Sequence, residues 1–156
     1  MVARPTNVMV VDASVATKWH LTDEEYGDIA TLIVEDFAQG RLELVAPEHI
    51  RFEVPSAITA ATLGRKPRIT LEQGQEAIAE FLALGIKTVR DSDLILAAYA
   101  LVHRYGCALY DALYLAVAQR LGARLITADH KLYRMIGDTP HVLWIGDYTP
   151  ALAKEE

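Results

Sequence analysis

The sequence has one cysteine, no long apolar run and no excess of positive charge. Cys107 cannot form a disulfide within the chain, so we expect a small buried hydrophobe and a reducing, cytoplasmic compartment. No apolar stretch reaches the roughly 18 residues that a membrane span needs, and the longest runs from Leu94 to Val102. Residues 1–7 lack the positive region and apolar segment of a signal peptide.

The acidic balance limits how the chain could interact with nucleic acid. A net charge of −6 argues against a protein that coats nucleic acid through a broad basic surface. It leaves a carboxylate metal site open, since bound cations would neutralise that charge. With 156 residues, 52% of them hydrophobic, and a mean hydropathy of +0.16, we predict one domain over 1–150 and a frayed tail over 151–156.

Short apolar runs alternate with helical segments along the whole chain. The predicted strands are 8–11, 42–45, 86–89, 125–127 and 142–145. This alternation predicts an α/β fold in which a mostly parallel sheet is covered by helices on both faces. The order of the strands cannot be read from the sequence.

Local signals suggest where several helices begin. Thr22 and Glu25 form the pattern of a capping box, which predicts a helix from there to Gly40. Pro47 should open the next helix. Thr70 should cap another, and either Asp91 or Ser92 the one that follows.

Two acids come at or just after the ends of predicted strands. Asp12 ends the first strand, and Asp129 follows the strand 125–127. Because ligands of a parallel sheet bind at the carboxyl ends of its strands, both acids should reach the same edge. Taken alone, either acid could equally cap the helix that follows it.

Two further acids lie on apolar helix faces. Glu53 shares a face with Ile50 and the rest of an apolar stripe, and Asp111 is surrounded by alanine and leucine. An acid in such a place must be paired, protonated or bound to a metal. For Asp111 the alternative to a metal is an ion pair with a buried arginine such as Arg51 or Arg124.

Four carboxylates from two strand ends and two helices can converge in one cleft. A hard divalent cation would remove their mutual repulsion, and an all-oxygen ligand set suits Mg²⁺ or Mn²⁺. Zinc is disfavoured because no pair of histidines has ligand spacing. The histidines are His20, His49, His103, His130 and His141.

Four segments together resemble the ordered motifs of PIN domains, most closely those of VapC-type toxins from prokaryotic toxin–antitoxin pairs. The segments are VVDAS (10–14), FEVPSA (52–57), YDALYLA (110–116) and LITAD (125–129). Any one of them is a weak signal, but four in order with these spacings are specific. The resemblance extends from Val8 to about Ile145.

The resemblance implies a single three-layer α/β/α domain, a homodimer, and Mg²⁺- or Mn²⁺-dependent cleavage of single-stranded RNA by a toxin with a cognate antitoxin. By position, Asp12, Glu53 and Asp111 match the three core acids of the family, and Asp129 its more variable fourth. We expect Asp12 and Asp111 to bind the metal directly, and Glu53 and Asp129 to act through water or a second ion. Ser14 and Thr127 match the supporting hydroxyls, although Ser14 could simply begin a helix.

The basic cluster, several aromatic residues and an acidic segment have less specific interpretations. Arg65, Lys66 and Arg68 form the densest basic cluster, which is either a solvated loop or a contact for RNA phosphates or an acidic partner. Tyr110, Tyr114 and Trp19 could stack on bases, but core packing or a dimer contact explains most such residues. The acids between residues 23 and 36 should form a solvated helix face.

Other functional classes fit less well. A response-regulator receiver needs a further acid beside Asp12, where Val11 and Ala13 stand, and a haloacid-dehalogenase phosphatase needs an aspartate in place of Ser14. The strongest rival is a PIN-domain nuclease of RNA processing that has no antitoxin. A non-catalytic α/β binding module is the remote alternative.

Overall fold

The structure, a computed structural model, describes residues 7–150; the predicted tail 151–156 and most of the segment tested for a signal peptide lie outside them. The strands are β1 (Asn7–Val11), β2 (Leu42–Pro47), β3 (Lys87–Val89), β4 (Arg124–Thr127) and β5 (Val142–Trp144). The helices are α1 (Ala13–Ala16), α2 (Gly27–Ala38), α3 (Ile50–Ala61), α4 (Leu71–Ala83), α5 (Ile95–Tyr105), α6 (Leu109–Leu121) and α7 (His130–Ile136). None of these helices combines the length and apolar content needed to cross a bilayer.

The strands form one sheet in the order β3-β2-β1-β4-β5, and every pairing in it is parallel. The prediction of an α/β fold with a mostly parallel sheet is therefore confirmed. In the central strand, Val10 pairs with Val45 on one side and Leu125 on the other. Val10 and Val11 point to opposite faces of the sheet and have no exposed surface. Helices therefore cover both faces, as in a three-layer α/β/α domain.

The strand order places a topological switch between β1 and β4. From β1 the chain adds β2 and β3 on one side, and it then returns to add β4 and β5 on the other. In open parallel sheets, ligands bind in the crevice at the carboxyl ends of the strands where the order reverses. That crevice lies directly after Val11 and Thr127.

Helix α6 forms the centre of one helical layer. It packs against β1, β2 and β4 on one side and against α5 on another. Every residue from Ala112 to Ala118 is consequently buried. Asp111 lies immediately before this buried segment and in the first turn of the helix, which carries it to the edge of the core.

The capping box predicted at Thr22 is wrong. Helix α2 begins at Gly27, and Tyr26 before it has a left-handed backbone with φ of 64°. Tyr26 packs edge-on against Trp144, with ring centroids 5.7 Å apart. The carbonyl oxygen of Thr22 would lie only 2.7 Å from a Cβ at Gly27. A side chain at residue 27 would clash with that carbonyl oxygen, so this turn requires glycine, and the tertiary packing of Tyr26 overrides the local capping signal.

Two other predicted helix starts are also wrong. Pro47 is the last residue of β2 and pairs with Val89, so α3 begins three residues later at Ile50. Asp91 lies in a short 3₁₀ turn before α5 and caps no helix. Its carboxylate instead faces His49, which is 42 positions away in the sequence. The cap predicted at Thr70 is confirmed, since its hydroxyl accepts from the backbone N–H of Gln73, and the Gln73 side chain accepts in return from the backbone N–H of Thr70.

The acids between residues 23 and 36 do not all face solvent as predicted. Asp36 is buried and forms an ion pair of 2.9 Å with Arg41. The hydroxyl of Tyr148 also donates a hydrogen bond to Asp36. A buried carboxylate with two such partners contributes to the packing of α2 instead of to a solvated face.

Candidate active site

Asp12 and Asp129 lie at neighbouring strand ends, and each also caps a helix. Oδ1 of Asp12 accepts from the backbone N–H of Val15 at 3.2 Å, and Oδ1 of Asp129 accepts from that of Leu132 at 3.1 Å. The capping interpretation is therefore correct for both residues. It does not compete with a metal site, because each cap is made by one of two carboxylate oxygens.

Asp12 is the most buried of the four acids, with 4% of its surface exposed. The hydroxyl of Ser14 donates a hydrogen bond to its Oδ1 at 2.5 Å. Burial raises the pKa of Asp12 from 3.8 to about 6, although hydrogen bonds from Ser14, Thr127 and Val15 oppose that change. Ionising this carboxyl is therefore costly unless a further positive charge is nearby.

Two hydroxyl groups connect the ends of β1 and β4. The backbone N–H of Ala128 donates to the hydroxyl of Ser14 at 2.9 Å, and that of Asp129 donates to the hydroxyl of Thr127 at 3.1 Å. The two hydroxyl oxygens lie 3.5 Å apart. Ser14, which also lies in the short helix α1, thus orients Asp12 and fixes the backbone that leads to Asp129.

In the part of the chain that the structure describes, Asp111 has no arginine partner. Among residues 7–150 it forms no ion pair or side-chain hydrogen bond, and the arginines considered for that role, Arg51 and Arg124, are exposed. Burial, followed by the negative charges of Asp129 and Glu53, raises the pKa of Asp111. The structure therefore gives no support to the buried ion pair that the sequence left open.

Glu53 is held by two neighbours. The hydroxyl of Tyr114 donates a hydrogen bond to its Oε1 at 2.8 Å. Nε2 of His49 lies 2.7 Å from the same oxygen, in a close contact that is poorly aligned for a hydrogen bond. Tyr114 is itself 1% exposed, so its ring belongs to the core and its hydroxyl positions Glu53.

Sequence reasoning missed His49. Its ring is buried between two carboxylates, because Nδ1 lies 3.1 Å from Oδ1 of Asp91 and Nε2 faces Glu53. Burial lowers the pKa of His49, but both carboxylates raise it and together outweigh burial. The spacing of His49 and Glu53, four residues apart, was a visible signal; the contact with Asp91 was not.

If Glu53 acts at a metal site, as the resemblance implies, His49→Gln should weaken catalysis by roughly 10-fold, the usual cost of losing a group that orients part of such a site. The ring of His49 contacts Asp91 through Nδ1 and Glu53 through Nε2. Glutamine has no ring, so it cannot hold both carboxylates in this geometry. The measurement is the rate of Mg²⁺-dependent RNA cleavage as a function of Mg²⁺ concentration. A variant with unchanged rate and unchanged Mg²⁺ dependence would show that His49 serves packing only.

The charge of Asp111 links the four acids. Asp111 interacts with each of the other three: with Asp12, with Glu53 and with Asp129. Within residues 7–150, however, no three acidic, histidine or cysteine side chains already lie close enough together to hold one ion. The donor atoms are carboxylate oxygens, which fit Mg²⁺ or Mn²⁺ better than a softer metal.

The basic loop lies at the far end of α3 from Glu53. Ala61 lies eight residues after Glu53, or roughly 12 Å along the helix at 1.5 Å per residue. Arg68 is paired with Asp23 and Glu24, at 2.8 and 3.2 Å. Arg65 and Lys66 are exposed and make no ion pair within the described part of the chain. Only these two are free to contact a phosphate.

This pairing changes what we expect from the basic loop. Neutralising Arg65 and Lys66 together should flatten the salt dependence of RNA binding, by roughly 0.7 in slope for each lost contact to a single-stranded phosphate. Arg68→Gln is the matched control and should leave the slope unchanged, because Arg68 is already paired. Equal salt slopes for the wild type, the double variant and Arg68→Gln would show that the loop is a solvated segment that does not contact RNA.

A sequence comparison identifies the family. The family model described as "PIN domain" matches residues 9–137, which include all four acids. The chain belongs to the PIN domain family. PIN domains are nucleases, so this chain is expected to act on a nucleic acid. No curated protein is similar enough in sequence to count as a relative.

Solved structures similar to this PIN domain support the fold. PAE2754 from Pyrobaculum aerophilum is 20% identical with a TM-score of 0.63, over 91% of this chain and 93% of that one. A toxin–antitoxin complex from Klebsiella pneumoniae is 19% identical with a TM-score of 0.60, over 86% and 95%. VapC20 of Mycobacterium tuberculosis, a toxin that cleaves the sarcin–ricin loop, is 16% identical with a TM-score of 0.61, over 85% and 99%.

Proposed function

We propose that this PIN domain is a Mg²⁺- or Mn²⁺-dependent endoribonuclease that hydrolyses phosphodiester bonds in single-stranded RNA. The observation that carries the proposal is the position of Asp111. It lies beside three other acids at the topological switch of the sheet. Its pKa is raised by burial and by the charges of Asp129 and Glu53, although His49 and Lys131 oppose that change, and it forms no ion pair in the described chain. A group of carboxylates of this kind is suited to binding a divalent cation.

In this proposal Asp12 and Asp111 hold the cation directly. When bound, Mg²⁺ or Mn²⁺ would neutralise the phosphate and activate water for in-line hydrolysis. Glu53, fixed by Tyr114 and His49, and Asp129, fixed by its cap, would orient the attacking water. Ser14 and Thr127 would keep the carboxylates of the two strand ends in register.

The direct test is cleavage of a panel of single-stranded RNAs by the purified wild-type protein. We expect cleavage with Mg²⁺ or Mn²⁺ and none after EDTA is added. Double-stranded RNA and DNA of the same sequence serve as controls for the substrate class. Failure to cut any RNA with either metal would refute the proposal, and cleavage that survives EDTA would indicate a contaminating ribonuclease.

We also propose that the protein is a cytoplasmic toxin with a cognate antitoxin. The similarity to a toxin–antitoxin complex and to a VapC toxin supports this. Expression of the chain alone should then arrest growth, and co-expression with the product of a small neighbouring reading frame should restore it. Normal growth during active expression would favour the alternative, a PIN-domain nuclease of RNA processing without an antitoxin.

A homodimer is part of the same proposal, with α5 as its interface. Three apolar side chains on this helix are exposed: Ile95 by 46%, Leu96 by 86% and Tyr99 by 60%. Leu96 and Tyr99 are three residues apart and therefore share one side of the helix. Leu96→Glu should shift the protein from dimer to monomer in analytical sedimentation. If the wild type is a monomer at all concentrations, the proposed homodimer is wrong.

A further inference from the structure

Two aromatic rings stand exposed beside the acids. Phe52 is 77% exposed and Tyr110 is 65% exposed. Each directly precedes an acid, Phe52 before Glu53 and Tyr110 before Asp111, and each lies in the first turn of its helix. Because most of the surface of each ring is exposed, packing against the core of this chain does not explain their position. Their position indicates a ligand at this edge of the sheet.

Both rings line one cleft, which also contains Glu53. The cleft has a volume of about 680 Å³, within the range of small-molecule sites. Small residues of α3 leave room for a flat ring to approach, and the ring of His49 lies 5.3 Å from that of Tyr110. The lining residues are His49, Phe52, Glu53, Ser56, Ala57, Ala60, Asp91 and Tyr110.

The charges of the lining determine which part of an RNA could enter. Glu53 and Asp91 contribute carboxylates, with His49 between them, and Ser56 contributes a hydroxyl; among residues 7–150, no lysine or arginine lines the cleft. A phosphate would be repelled there, whereas an uncharged aromatic ring would not. Stacking on exposed aromatic side chains is the usual way in which proteins hold unpaired bases.

We propose that this cleft binds a nucleobase of the RNA substrate, with Phe52 and Tyr110 as its stacking surfaces. The inference rests on the proposed ribonuclease function and adds a subsite to it. Carboxylate oxygens accept hydrogen bonds, so Asp91 favours bases with an exocyclic amino group, which are adenine, cytosine and guanine, over uracil. The phosphate next to this base would then lie beside Asp111.

The test separates stacking from general packing. Phe52→Leu and Tyr110→Leu keep an apolar side chain but remove the ring, and each should raise KM for a short RNA by roughly 5- to 100-fold with little change in kcat. Phe52→Tyr and Tyr110→Phe keep a ring and should retain most of the affinity. Leu71→Ala is the matched control, because Leu71 is 70% exposed but lies outside the cleft.

A second readout does not depend on cleavage. In the Asp111→Asn background, where hydrolysis should be strongly slowed, an RNA containing 2-aminopurine should lose fluorescence when its base stacks, and Phe52→Leu should abolish that loss. If the wild type cuts no RNA, the proposed function is wrong. The fluorescence signal then tests by itself whether the cleft binds a base. Unchanged KM and unchanged quenching in both leucine variants would overturn the inference. So would conversion of a dimer to monomers by these variants, because the rings would then form a protein interface.

Discussion

Asp111→Asn should lower the rate of Mg²⁺-dependent RNA cleavage by roughly 100-fold or more, because it removes a proposed ligand of the ion on which hydrolysis depends. Asparagine keeps the volume of the side chain and loses its charge. Asp111 is the acid that interacts with all three others, so the loss should be as large as that for Asp12→Asn. Single-turnover cleavage of one labelled RNA measures both.

Asp138→Asn is the matched control for that loss. Asp138 is an exposed aspartate in the turn that leads into β5, at the edge where the strands begin. Its replacement should leave the rate unchanged, because it is remote from the switch between β1 and β4. If Asp111→Asn cuts RNA as fast as Asp138→Asn does, the proposed site is wrong.

Without metal, Asp12→Asn should be more stable than the wild type at pH 7 by about 2–3 kcal/mol. A carboxyl pKa raised from 3.8 to about 6 by burial means that ionisation at neutral pH costs the folded state free energy of that order. Asparagine carries no charge, and its Oδ1 can still accept from Ser14 and Val15. In melting curves with EDTA, the variant should melt roughly 5–10 °C higher.

The pH dependence gives the sign of this effect. The folded wild type binds the proton of Asp12 more tightly than the unfolded chain does, so its stability should fall as pH rises from about 4 through about 6. The variant should lack this part of the fall. Millimolar Mg²⁺ should narrow or reverse the difference, because only the intact site gains binding free energy in the folded state. A destabilised variant in EDTA would mean that Asp12 is chiefly a structural cap.

The sheet, and the positions of Asp12 and Asp129 at its carboxyl edge, could be predicted because both follow from short-range patterns. Apolar runs marked the strands, and parallel strands bring their carboxyl ends to one edge wherever they lie in the order. Asp12 and Asp129 therefore had to lie at that edge. Glu53 and Asp111 were predicted to be site residues because an acid among apolar neighbours on a helix must be paired, protonated or bound to a metal.

The remaining features depend on contacts between distant residues. Local patterns predicted helix caps at Thr22 and at Asp91 or Ser92. In the structure, Tyr26 packs against Trp144 just before the first of these helices, and Asp91 pairs with His49. The same holds for Arg68, whose partners Asp23 and Glu24 lie more than 40 positions away. No local pattern shows which distant side chain will neutralise a charge, because the fold alone decides that.

The most direct test of the central claim, that these acids form a divalent-metal site, is a Mn²⁺ titration of the apoprotein followed by electron paramagnetic resonance. Bound Mn²⁺ loses most of its sharp solution signal, so the free ion can be counted at each addition. We predict saturable binding by the wild type and by Asp138→Asn, and strongly weakened binding by Asp12→Asn and Asp111→Asn. If the wild type leaves the Mn²⁺ signal unchanged, or if all four proteins bind the ion equally, the acids do not form the metal site proposed for them.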